Sequence, residues 1–380
     1  MMTIIKIATL VTISTMIMLS FLYRHSSPPP PPAEANIPSN LFSAIKQINL
    51  LHHDQFRYRK ALQFKNIEEN KICSSSTAFG SNLAMINRSI DSVCNPSLLH
   101  IAMTLDNHYI RGTVAAVHSI LHNSLCPENM CFHFIYSDAN PLLRSLVKDI
   151  FPSLKFKAYY YNLDIVKNKI SSSEEPLNYA RNYLVYLLEP CVEKVIYLDS
   201  DVILVDDISI LWRINLTSAT VGSPEYCHVN FNQFFTPNFW SQKKFSRVFS
   251  GRNRNPCYFN TGVMVIDLTK WIKFRHTEMM ERWMEIQREQ RIYNLGSLPP
   301  FLLVFAGDIA PINRRWNEVG FGADDLSGDC RQLPPSPFSL LHWNGKNKPW
   351  LRLDSGNPCP IDIIWSQYDL YVPAQQFTYA

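Results

Sequence analysis

Two aspartates, Asp199 and Asp201, close the apolar run Val195-Ile196-Tyr197-Leu198 with a single serine between them. In an extended chain residues two apart share a face, so both carboxylates would address one ion while Ser200 turns away. Far downstream, His342-Trp343-Asn344-Gly345-Lys346-Asn347-Lys348-Pro349-Trp350 follows a second apolar run, Phe338 to Leu341. There His342 would complete a metal shell, Gly345 would let backbone approach a phosphate closely, and Lys348 would place a point charge on it. A divalent cation in such a shell binds a diphosphate and stabilises the charge that develops on a leaving phosphate. Oxygen ligands suit magnesium or manganese, and the histidine tilts the choice toward manganese. Each motif also has an ordinary reading: D-x-D triplets end many solvated strands, and a histidine beside tryptophan is commonly packing. It is the combination, with the spacing H-x-x-G-x-x-K-P-W, that points to a nucleotide-sugar as ligand.

The elements around these residues alternate. Leu98 to Met103, Phe132 to Tyr136, Lys194 to Leu198 and Phe259 to Leu268 read as buried strands. Arg111 to His122, Pro141 to Phe151, Tyr179 to Glu189 (stopped by Pro190) and a long stretch from Thr269 to Arg291 read as helices. Apolar strands alternating with amphipathic helices predict an α/β domain with a mostly parallel sheet covered on both faces. Ligands of such sheets sit beyond the carboxyl ends of the strands, where Asp199 and Asp201 fall. No internal repeat is visible.

Of 380 residues, 46 % are hydrophobic and 18 % charged, which suits a globular chain with a sizeable core. A net charge of +4 is too weak and too dispersed to indicate nucleic acid as a partner. Ile7 to Tyr23 is a nearly unbroken apolar stretch, roughly 17 residues and about the minimum for a bilayer-spanning helix. An uncleaved signal anchor with a short cytosolic tail (residues 1–24) is the favoured reading, and a cleaved signal peptide is the alternative. Five prolines, Pro28 to Pro32, then form a stiff spacer. Residues 25–95 read as linker and stem, and 96–380 as the catalytic domain. A lumenal location agrees with the glycosylation sequons at Asn87 and Asn215 and gives the nine cysteines a disulfide reading. Cys126 and Cys131 flank a short loop. Cys73 with Cys94, Cys227 with Cys257 and Cys330 with Cys359 are the candidate pairs, and Cys191 is the candidate buried free thiol.

The segments Ala102 to Gly112, Tyr179-Ala180-Arg181-Asn182, Tyr197 to Asp201, Phe259-Asn260-Thr261-Gly262-Val263 and His342 to Trp350 resemble glycosyltransferase family 8. Leu295 to Pro300 and Asn313-Arg314-Arg315-Trp316-Asn317 resemble, more closely, its plant galacturonosyltransferase-like branch. The resemblance covers roughly residues 95 to 370 in order. It implies a GT-A fold, a UDP-sugar donor, manganese and retention of anomeric configuration. Carried over by position, it gives Asp199, Asp201 and His342 as metal ligands, and Gly345 and Lys348 as diphosphate contacts. It places Asp106, His108 and Tyr109 at uracil and ribose, with Tyr109 equally readable as a packing residue at a helix start. It sets Arg181 against donor phosphate or sugar, and Asn260 against donor sugar or acceptor, with backbone satisfaction as the other reading of Asn260.

One departure stands out. Bacterial members of the family approach the reacting carbon from the opposite face with an acidic and amide-bearing stretch. The corresponding Leu295 to Pro300 carries neither group beyond Asn294. No nucleophile is assigned, Asp308 and Glu225 are held in reserve, and a front-face mechanism guided by the departing phosphate is preferred. If the donor is UDP-galacturonic acid, Arg252, Arg254, Arg314 and Arg315 are the candidates to grip its carboxylate. The expectation is a membrane-anchored, Golgi-lumenal, retaining transferase acting on a cell-wall polysaccharide such as pectin. Another UDP-sugar used in pectin or xylan assembly is one alternative, and a non-catalytic partner of another Golgi transferase is a second.

Overall fold

The central strands pair in parallel, and their order brings two carboxyl ends side by side. In the computed structural model, residues 57–62, 93–137, 141–171, 173–294, 296–322, 330–331 and 337–373 are described, all within one unit spanning residues 54–380. The proposed anchor, the proline run, Asn87 and Cys73 lie outside the described residues, and among those described no helix is long and apolar enough to cross a membrane. Strands β1 (Leu99–Thr104), β2 (Met130–Tyr136), β3 (Phe156–Tyr160) and β4 (Lys194–Leu198) stand in the order β3-β2-β1-β4, all parallel. β1 is therefore flanked by β2 on one side and β4 on the other, the kind of switch point at which ligands collect.

Beyond β4 the sheet is mixed. β6 (Val221–Tyr226), β7 (Tyr258–Phe259), β8 (Val263–Asp267) and β9 (Ala310–Ile312) extend it, with β8 antiparallel to β4 and to β6, and β9 parallel to β6. The sequence-based expectation of a mostly parallel sheet is corrected here. The reversal has a use: pairing of Leu198 with Val263 delivers the amino end of β8 to the carboxyl end of β4. A separate antiparallel pair, β5 (Val202–Leu204) with β10 (Leu340–His342), matches His342 to Val202.

Period-two alternation divides the core between the two faces. Ile101, Met103, Ile196, Leu198, Val263 and Val265 pack on one side; Ala102, Ile135, Val195, Tyr197, Met264 and Ile266 pack on the other. The expected strand Phe259 to Leu268 is interrupted, because residues 260–262 leave the ladder to enter the site. The expected helix Tyr179 to Glu189 is a 3-10 turn, Pro176–Tyr183, followed by a single α turn, Leu184–Leu187. The long helix Thr269 to Arg291 breaks into Leu268–Lys273 and His276–Glu289 at Arg275, whose φ of 55° reverses the chain. That break lets Trp271 Nε1 donate to Thr277 Oγ1 (2.9 Å) while Met280 and Met284 reach the core. Residues 57–62, expected as stem, join the fold: Val372 N donates to Arg57 O and Ala61 N to Ile150 O.

The disulfides depart from expectation. Cys227–Cys257 and Cys330–Cys359 form as read from the sequence, but Cys94 joins Cys191, so Cys191 is not free. Val93 and Val192 share one core cluster, which draws the two cysteine segments together. Among the described residues the free thiol is Cys131, in β2, buried beside Ala102 and Ile135. Its side chain lies on the same face as Ala102, and Cys126 is disulfide-bonded elsewhere.

Candidate active site

Register places the predicted ligands together. Asp199 N donates to Gly262 O and Trp343 N to Asp201 O, both at 2.9 Å, so β8 and β10 clamp the two aspartates from either side. Ser200 turns away, donating its hydroxyl to Thr104 O at 2.9 Å. Asp199, Asp201 and His342 each offer a ligand atom within 4.8 Å of the others. His342 Nε2 lies 3.2 Å from Asp201 Oδ1 and 3.9 Å from Asp199 Oδ2.

The imidazole is oriented from behind. Asn317 donates from Nδ2 to Asn260 Oδ1 (3.2 Å), so its own Oδ1 accepts from His342 Nδ1–H at 2.9 Å. Nε2 is then the nitrogen that carries a lone pair toward the aspartates, a common outer-sphere arrangement at metal centres. Gly262 completes the cradle: a Cβ there would stand 2.4 Å from His342 Cε1 and 2.6 Å from Asp199 Oδ2. Two carboxylates and one correctly presented imidazole fit a divalent cation that prefers oxygen.

The cationic residues divide their work. Lys348 is buried, with Nζ 2.5 Å from Asp201 Oδ2 and 2.8 Å from Trp343 O. Arg181 is also buried. Its Nη2 lies 3.2 Å from Asp199 Oδ1, its Nη1 donates to Thr261 O and Oγ1, and its guanidinium lies over Tyr197. Arg181 thus holds Asp199 in place from the core side. Burial alone would raise the Asp201 pKa, but His342, when it carries a proton in place of a metal, and Lys348 outweigh it and hold the carboxyl well below the usual carboxylate range.

The other sequence candidates sit as follows. Asp106 Oδ1 accepts from His108 N and Tyr109 N, closing the turn that leads into the helix Ile110–Asn123. His108 is exposed, and Tyr109 meets Trp350 edge-on with Lys348 Nζ 5.2 Å from its ring. Gly345 takes φ 110° at an exposed turn that only glycine enters without strain. Asn260 Oδ1 accepts from Gly262 N at 2.8 Å, shaping the segment that faces Asp199. Glu225 and Asp308 are not brought to the triad. Glu225 is paired with Arg254, on the face of β6 opposite Tyr226, and Asp308 is paired with Arg252 and with Asn253 N. Arg315 is paired with Asp206. Asn317 and Thr261 were given no site role from sequence, although both lie inside the quoted segments Asn313 to Asn317 and Phe259 to Val263.

A mixed sheet of this topology, with an Asp-x-Asp and histidine set at its switch point and a buried lysine beside it, defines a glycosyltransferase of GT-A type that takes a nucleotide-sugar donor with a divalent metal. The family model for glycosyl transferase family 8 matches residues 100–354, and the chain belongs to that family. "Probable galacturonosyltransferase-like 7" of Arabidopsis thaliana is 54 % identical over 349 residues, covering 90 % of this chain and 91 % of the relative. "Probable galacturonosyltransferase-like 6" of the same plant is 59 % identical over 285 residues, covering 73 % and 82 %. Among solved structures, the galactosyltransferase LgtC in complex with donor and acceptor sugar analogs superposes with a TM-score of 0.54 at 20 % identity, covering 73 % of this chain and 98 % of that one. An active-site mutant of LgtC gives 0.55 at 18 %, covering 74 % and 97 %.

Proposed function

We propose that this retaining glycosyltransferase moves galacturonic acid from UDP-galacturonic acid to a growing cell-wall polysaccharide of the pectin type. On this reading it works in the Golgi lumen, held by an anchor at residues 7–23, and uses manganese. The observation that carries the reading is the convergence of Asp199, Asp201 and His342 with the buried Lys348. The names of relatives at 51–59 % identity support the choice of sugar.

When bound, the cation supplies Lewis acidity to the departing diphosphate. The chain's residues do the rest. Arg181 and Asn317 hold Asp199 and His342 in their ligating orientations, and Lys348 keeps a positive charge beside Asp201, where an anionic leaving group is to be gripped. With Glu225 and Asp308 committed to arginines away from the triad, the favoured route to retention is front-face. The leaving phosphate guides the acceptor hydroxyl, and no side chain becomes glycosylated. Mass spectrometry that finds a sugar trapped covalently on a side chain would sink this route.

Three of the four arginines offered as carboxylate readers are already ion-paired, which favours a second reading, a neutral UDP-sugar donor. Arg314 supports the first reading, because it is exposed, has no acidic partner among the described residues and lies over the Tyr226 ring. Incubating the purified full-length chain with manganese and a panel of UDP-sugars separates the two. Asp201→Ala is expected to abolish transfer with the circular dichroism spectrum unchanged. Full restoration of polysaccharide synthesis in cells by Asp201→Ala would instead make the chain a non-catalytic partner.

A further inference from the structure

A second cluster of metal-ligating side chains lies on the covered face of the sheet. His100 of β1 pairs in register with Cys131 of β2, and His133 follows two residues on, so all three side chains project from one face. Their ligand atoms lie within 4.8 Å of one another. His133 is fully buried, and Cys131 and His100 nearly so. In the parallel ladder His100 is level with Val195, which puts this cluster about 13 Å below Asp199 along the strands.

The hydrogen bonds fix which nitrogen is free. Tyr159 has one hydroxyl proton and donates it to Glu189 Oε2. Its oxygen therefore accepts from His133 Nδ1–H at 2.9 Å. His133 Nε2 then accepts from His100 Nδ1–H at 2.9 Å, a lone pair that a metal ion would take in place of that proton. A carboxylate acting through a hydroxyl on the far nitrogen is how ligating histidines are oriented. Among the described cysteines Cys131 alone keeps its thiol, in a chain that joins the others in disulfides.

We propose that His100, Cys131 and His133 form a zinc site that ties β1 to β2. Two imidazoles and a thiolate select zinc over magnesium or manganese, whereas the oxygen-rich triad above also accommodates those harder ions. The two sites therefore sort metals by ligand softness within one sheet. On binding, the Cys131 S–H proton leaves as the sulfur–zinc bond forms, and His100 shifts its own proton from Nδ1 to Nε2. A small ligand such as water takes the fourth tetrahedral position.

The test uses the full-length chain, exposed to stoichiometric zinc, desalted and assayed by elemental analysis. About one zinc ion per chain is expected in the wild type and in Asp201→Ala, and loss of it in Cys131→Ser. Circular dichroism and melting of Cys131→Ser separate loss of the ion from loss of the fold. Cobalt(II) gives an independent readout: a thiolate-to-cobalt charge-transfer band in the wild type and in Asp201→Ala, absent in Cys131→Ser. A wild-type chain that holds no zinc and gives no such band overturns the proposal. So does a folded Cys131→Ser chain that keeps its zinc.

Discussion

Asn317 Oδ1 lies 2.9 Å from His342 Nδ1, joining residues that are distant in sequence and both almost wholly buried. The amide does not touch the triad's ligand atoms, yet it sets the tautomer that presents Nε2 to them. Tyr226 donates its hydroxyl to the Asn317 backbone carbonyl, so the main chain that carries the amide is held from β6. Removing such an outer partner costs on the order of 10- to 100-fold in metal affinity. Asn317→Ala should therefore raise the metal concentration needed for half-maximal activity by about that factor, and Asn317→Asp, which keeps the acceptor, should restore most of it. A metal-activation curve unchanged in Asn317→Ala would remove Asn317 from the metal centre.

Gly262 predicts a sharper failure. A methyl group at this position would overlap His342 Cε1, Asp199 Oδ2 and Asn260 Oδ1 at 2.4, 2.6 and 2.9 Å. The neighbours can yield only by moving the ligands apart, and a displacement of that kind costs about 100-fold in rate. Gly262→Ala should lose activity by roughly that much, with a circular dichroism spectrum that shows the fold retained. Transfer within a few-fold of wild type would mean that the triad tolerates the shift.

How much of this was legible in the sequence depended on whether the signal was local. Asp199 and Asp201 were readable because a strand fixes its own alternation, and Ser200 does turn to Thr104 as that alternation requires. His342 was readable because its apolar approach marks a strand, although the residue ends β10 and does not follow it. Arg181 was placed in the site, but its hold on Asp199 depends on a 3-10 turn where an α-helix was expected. Asn317, Thr261 and the Cys94–Cys191 link depend on pairings of distant segments, and nothing local announces which strand will lie beside which. The mixed sheet was missed for the same reason, since an apolar strand reads alike in either direction.

His276 gives the fold a pH dependence of its own. It sits between Trp271 and Phe305, with Nε2 3.0 Å from Thr220 Oγ1 and Nδ1 buried without a partner. Burial first, and Arg252 second, push its pKa down to about 4 from 6.5. Between those values the unfolded chain binds the proton and the folded chain does not, so this contribution to stability is complete above pH 6.5 and is lost as pH falls toward 4. The slope approaches about 1.4 kcal/mol per pH unit at most. Urea midpoints measured from pH 7 to pH 4.5 should fall less steeply in His276→Gln than in the wild type. Parallel curves would show that the ring's titration does not matter to folding.

Arg314 tests the sugar itself. Its guanidinium stands 5.2 Å from the centre of the Tyr226 ring, and the Tyr226 hydroxyl reaches the backbone carbonyl of Asn317, whose side-chain amide bonds His342 and Asn260. Arg314 is thereby connected to the triad through Tyr226 and Asn317, while its charge remains unpaired by any acidic group among the described residues. Arg252, Arg254 and Arg315 are engaged with Asp308, Glu225 and Asp206 and would have to break those pairs to serve. A charged hydrogen bond to a donor carboxylate is worth about 1.5 to 3 kcal/mol, or roughly 10- to 100-fold. Arg314→Ala should lower kcat/KM for UDP-galacturonic acid by that order, with little change for UDP-galactose, which has no carboxylate. Arg314→Lys should recover part of the loss, because the charge survives and the bidentate fork does not. Equal losses on both donors would place Arg314 in the scaffold and leave the carboxylate to another residue.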